Sequence, residues 1–300
     1  MQVSGPIRGL LLGTVSLVLC FSVPLIRLVR FAAASGLYSH IILIPFISLY
    51  LVWQKRRSLQ PGSPPPRRWA TVFLIAGLVP LAGVWIPALS GTLLAPQDAL
   101  ALATLSFLLL FGAICCLSLG RETLRSLAFP LGLLLFMVPF PAGLQTLLEA
   151  ILQHGSAAAA YGFFRMAGTP VFNHDLVFEL PGFNNIRVAH ECSGIHSSLA
   201  LFITSLLAGD WFLRSPWRRT ILAAAVLPLA ILRNGVRIFT IGELCVHVGP
   251  EMIDSPIHRR GGPLFFVLSL VPFLLLLIYL MRQERPRCAA GKADGANQAR

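Results

Sequence analysis

The chain is 300 residues long, 56% hydrophobic and only 12% charged, with a mean hydropathy of +0.75. A soluble domain carries about twice that charged fraction, so a water-soluble globule is excluded and a bilayer becomes the solvent for the apolar surplus. The net charge of +12 does not make the chain a nucleic-acid binder, because its basic residues lie in short clusters between apolar stretches, as topogenic charges do.

Apolar runs predict an all-α polytopic membrane protein with about eight transmembrane helices. Five spans, near 10–29, 38–53, 70–90, 98–118 and 125–142, make an N-terminal membrane region over residues 1–142. The first has no small-residue cleavage site, so it is expected to be retained and not removed as a signal peptide. The second is short. Pro61-Gly62-Ser63-Pro64-Pro65-Pro66 is a loop, since consecutive prolines cannot continue a helix.

Residues 143–191 read as an outer-face region. Residues 143–166 mix Leu, Ala and Phe with Gln145, Glu149, Gln153, His154 and Arg165. That mixture suits an amphipathic helix on the outer surface or, alternatively, a re-entrant segment. In the polar connection over 167–191, Val171-Phe172 and Leu176-Val177-Phe178-Glu179-Leu180 are expected to be extended, with Asn173-His174-Asp175 as the turn between them. Ile186-Arg187-Val188 alternates and can pair back, giving a small hairpin-like cap before the sixth span. Residues 192–281 hold three further membrane helices, near 194–212, 220–245 and 262–281. Residues 282–300 read as a disordered cytoplasmic tail.

Orientation follows from the basic residues. With eight spans, Arg8, Lys55, Arg56, Arg57, Arg67, Arg68, Arg121, Arg125, Arg214, Arg218 and Arg219 share one side with those of the tail, leaving Arg27 and Arg30 opposite. The positive-inside rule makes the rich side cytoplasmic, with both termini inside. The expected location is a bacterial inner membrane.

Of the six cysteines, none forms a CxxC pair or a zinc spacing, and most sit in apolar segments, where a small buried hydrophobe is expected. Cys192 differs. It lies in His190-Glu191-Cys192-Ser193-Gly194-Ile195-His196, at the start of a span, where the positive end of the helix dipole favours thiolate. An inert interfacial thiol is the plain alternative. A second feature is Arg233-Asn234-Gly235-Val236-Arg237 within an apolar helix. An arginine in a span costs at least ~2.5 kcal/mol and suggests function, unless it snorkels. Arg237 is expected roughly 25 Å above the cytoplasmic end, near the outer edge of the hydrocarbon. The third feature is His258-Arg259-Arg260-Gly261-Gly262, where an outer loop enters the last span. Cys192, Arg237 and His258 together hold the parts of thiol-based acyl transfer: a nucleophile, a fixed cation for an oxyanion and a proton carrier.

These residues resemble the exosortase/archaeosortase family of membrane transpeptidases. The likeness runs from about Gly168 to Phe273. It is carried by Gly168-Thr169-Pro170-Val171-Phe172, Leu180-Pro181-Gly182-Phe183, Val188-Ala189-His190-Glu191-Cys192-Ser193-Gly194-Ile195, Asn234-Gly235-Val236-Arg237, and His258 ahead of Gly261-Gly262. The resemblance implies that Cys192 attacks a peptide carbonyl on the outer face, Arg237 stabilises the oxyanion and His258 protonates the leaving amine. It implies, as partners, exported proteins with a C-terminal tripartite signal: a short motif such as Pro-Glu-Pro, a transmembrane helix and a basic tail. A surface amine or polymer precursor would accept the product, with no metal or organic cofactor. The family often has an arginine two residues after the motif glycine; here that position is His196. His196 also competes with His258 as proton carrier, being four residues after Cys192 on one helix face. Glu191 and Asn234 are expected to orient the site or to make capping or interhelical bonds. Arg233 could pair with Glu243 or another outer carboxylate.

Rival chemistries fit less well. His190-Glu191 lacks the second histidine of a helical His-Glu-x-x-His metalloprotease motif. Ser193 stands where a rhomboid-like serine nucleophile would. A transporter, flippase or assembly scaffold for surface polysaccharide would also explain buried arginines. It would tolerate Cys192→Ala, whereas a thiol transpeptidase would not.

Overall fold

The computed structural model describes residues 5–56, 64–91, 94–180, 183–187, 194–249, 251–252 and 261–297. They form an all-α membrane protein with one small sheet. In order the elements are α1 (Gly5–Cys20), α2 (Ser22–Ala34), α3 (His40–Lys55), α4 (Arg67–Leu89), α5 (Pro96–Ser118), α6 (Arg121–Leu133) with a 3-10 turn (Leu134–Met137), α7 (Ala142–Ala167), β1 (Phe172–His174), β2 (Val177–Leu180), β3 (Phe183–Arg187), α8 (Ile195–Phe212), α9 (Pro216–Ala224), α10 (Val226–His247) and α11 (Gly262–Asn297). The chain divides into two units, Met1–Gln145 and Thr146–Arg300.

Among the described residues, five helices are long and apolar enough to cross a bilayer: Arg67–Pro87, Pro96–Ser118, Ile195–Phe212, Pro216–His247 and Gly262–Glu284. Two bent pairs raise the number to seven if each crosses once. Eight would need α3 as well, and its 16 residues fall short of the roughly 20 that span a bilayer core. The bends have causes in the sequence. The α1–α2 pair turns by 72° just before Pro24, which cannot donate to the preceding turn. The α6–α7 pair turns by 94° at Pro139 and Pro141. Residues 143–166 accordingly form most of a 26-residue helix, α7.

In the first unit, α4 and α5 run antiparallel, with Gly77 under Leu110 and Gly112 under Phe73. Ser106 is wholly buried and donates to the Gly77 carbonyl at 2.7 Å. Near the start of α5, the Gln97 amide donates to Tyr38 Oη (3.1 Å), the Phe140 carbonyl (2.7 Å) and Gln145 Oε1 (2.8 Å). Asp98 accepts from the Ala142 N–H at 2.7 Å, capping the start of α7. Outward, α4 shows Trp69, Val72, Ile75, Val79, Trp85 and Ile86, a surface only lipid satisfies.

In the second unit α8, α9, α10 and α11 enclose Leu201, Leu213, Leu222, Val226, Phe273 and Leu277. Where this core ends, Glu284 accepts from the Ser215 N–H at 3.0 Å and faces Arg218 at 3.5 Å, tying α11 to the α8–α9 corner. Beyond it, residues expected as a disordered tail continue α11 as helix to Asn297.

The sheet order is β1-β2-β3, all antiparallel. Val177 pairs with Arg187 and Phe178 with Ile186, so the third segment pairs back as expected. The turn is shifted. Asn173 and His174 belong to β1, opposite Phe178 and Val177, and the reversal falls on Asp175-Leu176. Asp175 takes φ +60°, a left-handed conformation that Asp tolerates and that suits a two-residue hairpin. Phe178 and Leu180 point into a cluster with Ala157, Ala160 and Phe164, which seats the sheet on α7 and α10.

Candidate functional site

The entry to α8 is built on Gly194. Its φ of +68° and ψ of 16° place it in the left-handed region, which a side chain makes costly by about 1–2 kcal/mol. A second constraint is steric. A Cβ at Gly194 would lie 2.9 Å from Arg233 Nη2 and 3.6 Å from the Asn234 amide carbon. Glycine here serves both the turn and the approach of α10.

The Gly194 carbonyl is the hub of a local network. It accepts from the Ser198 N–H at 3.0 Å, Ser198 Oγ at 2.7 Å, Ser197 Oγ at 3.0 Å and Arg233 Nη2 at 3.3 Å. Arg233 Nη2 also lies 3.4 Å from Ser198 Oγ. The guanidinium is thereby pinned to the first turn of α8. Arg233 is only 8% exposed and Asn234 2%. Arg233 Nη1, also buried, has no hydrogen-bond partner among the described residues. A buried donor on a cation carries a large desolvation cost unless something accepts from it.

Arg237 follows one turn along α10, on the face that carries Arg233. It is half-buried. Two guanidinium groups thus share one side of one helix, beside the entry to α8. Glu243, a proposed partner of Arg233, is engaged elsewhere. It accepts from Thr169 Oγ1 at 2.5 Å and faces His247 Nε2 at 3.0 Å. Ten residues of helix separate Glu243 from Arg233, about 15 Å along the axis, so that pairing is corrected. His196 lies in the first turn of α8 and is exposed.

Small residues bring α7 against α10. A Cβ at Gly235 would be 2.7 Å from Ala159 Cβ and 3.3 Å from the Ala160 nitrogen. Gly155 sits under Ile231, and Gly242 faces the edge of the Phe164 ring. Close backbone approach through small residues is how membrane helices gain dispersion contact without a hydrophobic drive. Here it holds the α10 segment that carries both arginines.

Cys192, Glu191 and His258 lie outside the described residues, as do His190 and Ser193. Arg233 and Asn234 do meet Gly194, the residue that follows the expected Cys-Ser pair, and Arg237 lies one turn further along α10. Ser198 and the Gly194 carbonyl were not singled out from sequence, although a serine four residues after a motif glycine is positioned to bond its carbonyl. Cys115, Cys116 and Cys245 are buried in helix contacts and Cys20 is exposed. Among the described residues no group of three His, Cys, Asp or Glu side chains could hold a metal ion.

Residues 31–275 match the family model described as transmembrane exosortase. No curated protein matches the chain, and no solved structure does.

Proposed function

The chain belongs to the transmembrane exosortase family, and on that premise we propose that it is a cysteine transpeptidase that cleaves the C-terminal sorting signal of exported proteins. Family membership suggests a membrane transpeptidase for sorting signals. The residue assignment is our own. The observation that carries it is the pairing of Arg233 and Arg237 on one helix face, with Arg233 bonded to the residue two positions after Cys192.

In this reading the Cys192 thiolate attacks the carbonyl carbon of the scissile peptide bond, and the carbonyl oxygen takes the negative charge. Arg237 holds that oxyanion with a charge that needs no reorganisation as the bond forms. The intermediate collapses, the C–N bond breaks, and His258 gives a proton to the departing amine. The remaining thioester is attacked by a surface amine or polymer precursor, which passes its proton back to His258 as the new acyl bond forms, and the C–S bond breaks to restore the thiolate. His196 is the alternative proton donor. Arg233 does not touch the reacting atoms; it fixes the Gly194 turn and hence the line of the nucleophile. The site faces the outer side of a bacterial inner membrane and needs no metal or organic cofactor.

The test is co-expression with an exported protein bearing a Pro-Glu-Pro-type C-terminal signal, comparing wild type with Cys192→Ala. A shortened product that needs the thiol is the expected result. Equal processing by both would remove Cys192 as nucleophile. No processing by either, across several signal motifs, would favour a transporter or scaffold role in surface polysaccharide assembly.

A further inference from the structure

The first unit holds a cavity of about 420 Å³ between α4, α5 and α6. Its walls are apolar, with Trp69 and Phe73 from α4, Leu108 and Gly112 from α5, and Leu131 from α6. The exception is one end, lined by Arg121 and Arg125. These are four residues apart on α6, so their guanidinium groups stand one turn apart on one face. Both are exposed, and neither pairs with a carboxylate among the described residues. The Arg121 N–H donates to the Pro64 carbonyl at 3.4 Å, which frames this end with the start of α4, where Trp69 marks an interfacial depth.

The cavity therefore has the profile of a single amphiphile. From Arg121 to Leu135 the wall runs about 20 Å, comparable with one leaflet of a bilayer core and its headgroup edge. An apolar channel of this volume lies in the range that binds ligands, and two adjacent guanidinium groups match the oxygens of a phosphate. A zwitterionic lipid gains less, because its own cation opposes the arginines.

We propose that this groove binds an anionic phospholipid, with an acyl chain between α4, α5 and α6 and the phosphate bridged by Arg121 and Arg125. The site is independent of the peptidase reading. Arginine pairs at the foot of membrane helices are suited to such headgroups, with the charges adding to the burial of the chain.

The experiment is native mass spectrometry of the full chain in mild detergent, titrated with phosphatidylglycerol or phosphatidylcholine. Four proteins are compared: wild type, Arg121→Gln/Arg125→Gln, Ala128→Trp (which fills the groove from an exposed lining position) and Arg214→Gln/Arg282→Gln. The last removes two charges from the other unit as a control. Thermal unfolding of each checks that it is folded. Phosphatidylglycerol is expected to bind the wild type more tightly than phosphatidylcholine. Affinity should fall roughly thirtyfold in the Arg121/Arg125 variant, fall for both lipids in Ala128→Trp, and hold in the control. Equal retention by wild type and the Arg121/Arg125 variant would overturn the site. So would an equal loss in the control, or competition by inorganic phosphate that matches the lipid's own affinity.

Discussion

Both units bury polar groups, but among the described residues only the second buries a cation. The first buries neutral hydroxyls, each with a carbonyl to receive its proton: Ser48 on Pro130 at 2.8 Å and Ser106 on Gly77 at 2.7 Å. The second buries such hydroxyls too, Ser205 on Phe202 and Ser269 on Phe266, but adds a guanidinium, Arg233, one of whose nitrogens finds no partner among the described residues. A paired hydroxyl in a membrane protein is ordinary helix glue, worth under about 1 kcal/mol. A buried cation is expensive and is kept where it performs a task. The contrast supports the proposal that chemistry lies in the second unit, with the first as scaffold carrying the proposed lipid groove.

Substitutions in each unit test this difference. The largest effect is expected at Arg237. Arg237→Gln should lower signal processing by roughly 10²–10³-fold, the cost of one lost oxyanion donor, with membrane levels of the protein unchanged; an immunoblot of substrate and enzyme together reads both. Gly235→Leu comes next. Its side chain would have to displace Ala159, so α7 and α10 should separate, with a loss of at least about 1–3 kcal/mol seen as a lower unfolding temperature in detergent. Gly194→Ala should cost about 1–2 kcal/mol from its positive φ, and it should also reduce turnover, because its Cβ meets Arg233. A variant with lower stability and full turnover would show that the Arg233 contact does not matter to the reaction. In the first unit, Ser106→Ala should cost under about 1 kcal/mol and leave turnover alone. Gly132→Ala is expected to be the mildest, since nothing lies within 4 Å of its Cβ position and helix propensity favours alanine.

The sequence makes some of this legible and conceals the rest. Long apolar runs announce α4, α5, α8, α10 and α11, because a bilayer leaves few alternatives to helix. Arg233 and Arg237 stand out because charges in such runs are rare. The alternation of Ile186-Arg187 foretells its pairing with β2. The span count is less legible: apolar content does not report direction, so the bends beside Pro24 and at Pro139–Pro141 turn two apparent spans into broken pairs. Weak strand propensity at Asn173 and His174 hides the end of β1, which pairs through both residues, and the left-handed conformation of Asp175 sets the turn after them. The partner of Glu243 was hidden as well, since Thr169 is distant in sequence and only the fold of α7 onto α10 brings it near.

Catalysis in the proposed reaction runs through a thioester on Cys192. This is tested most directly by stopping the wild-type reaction with acid and mapping the enzyme by mass spectrometry. A substrate-derived acyl group is expected on Cys192, released by hydroxylamine and absent when the substrate lacks its signal. Signal cleavage with no adduct on Cys192, or with the acyl group on Ser193, would contradict it.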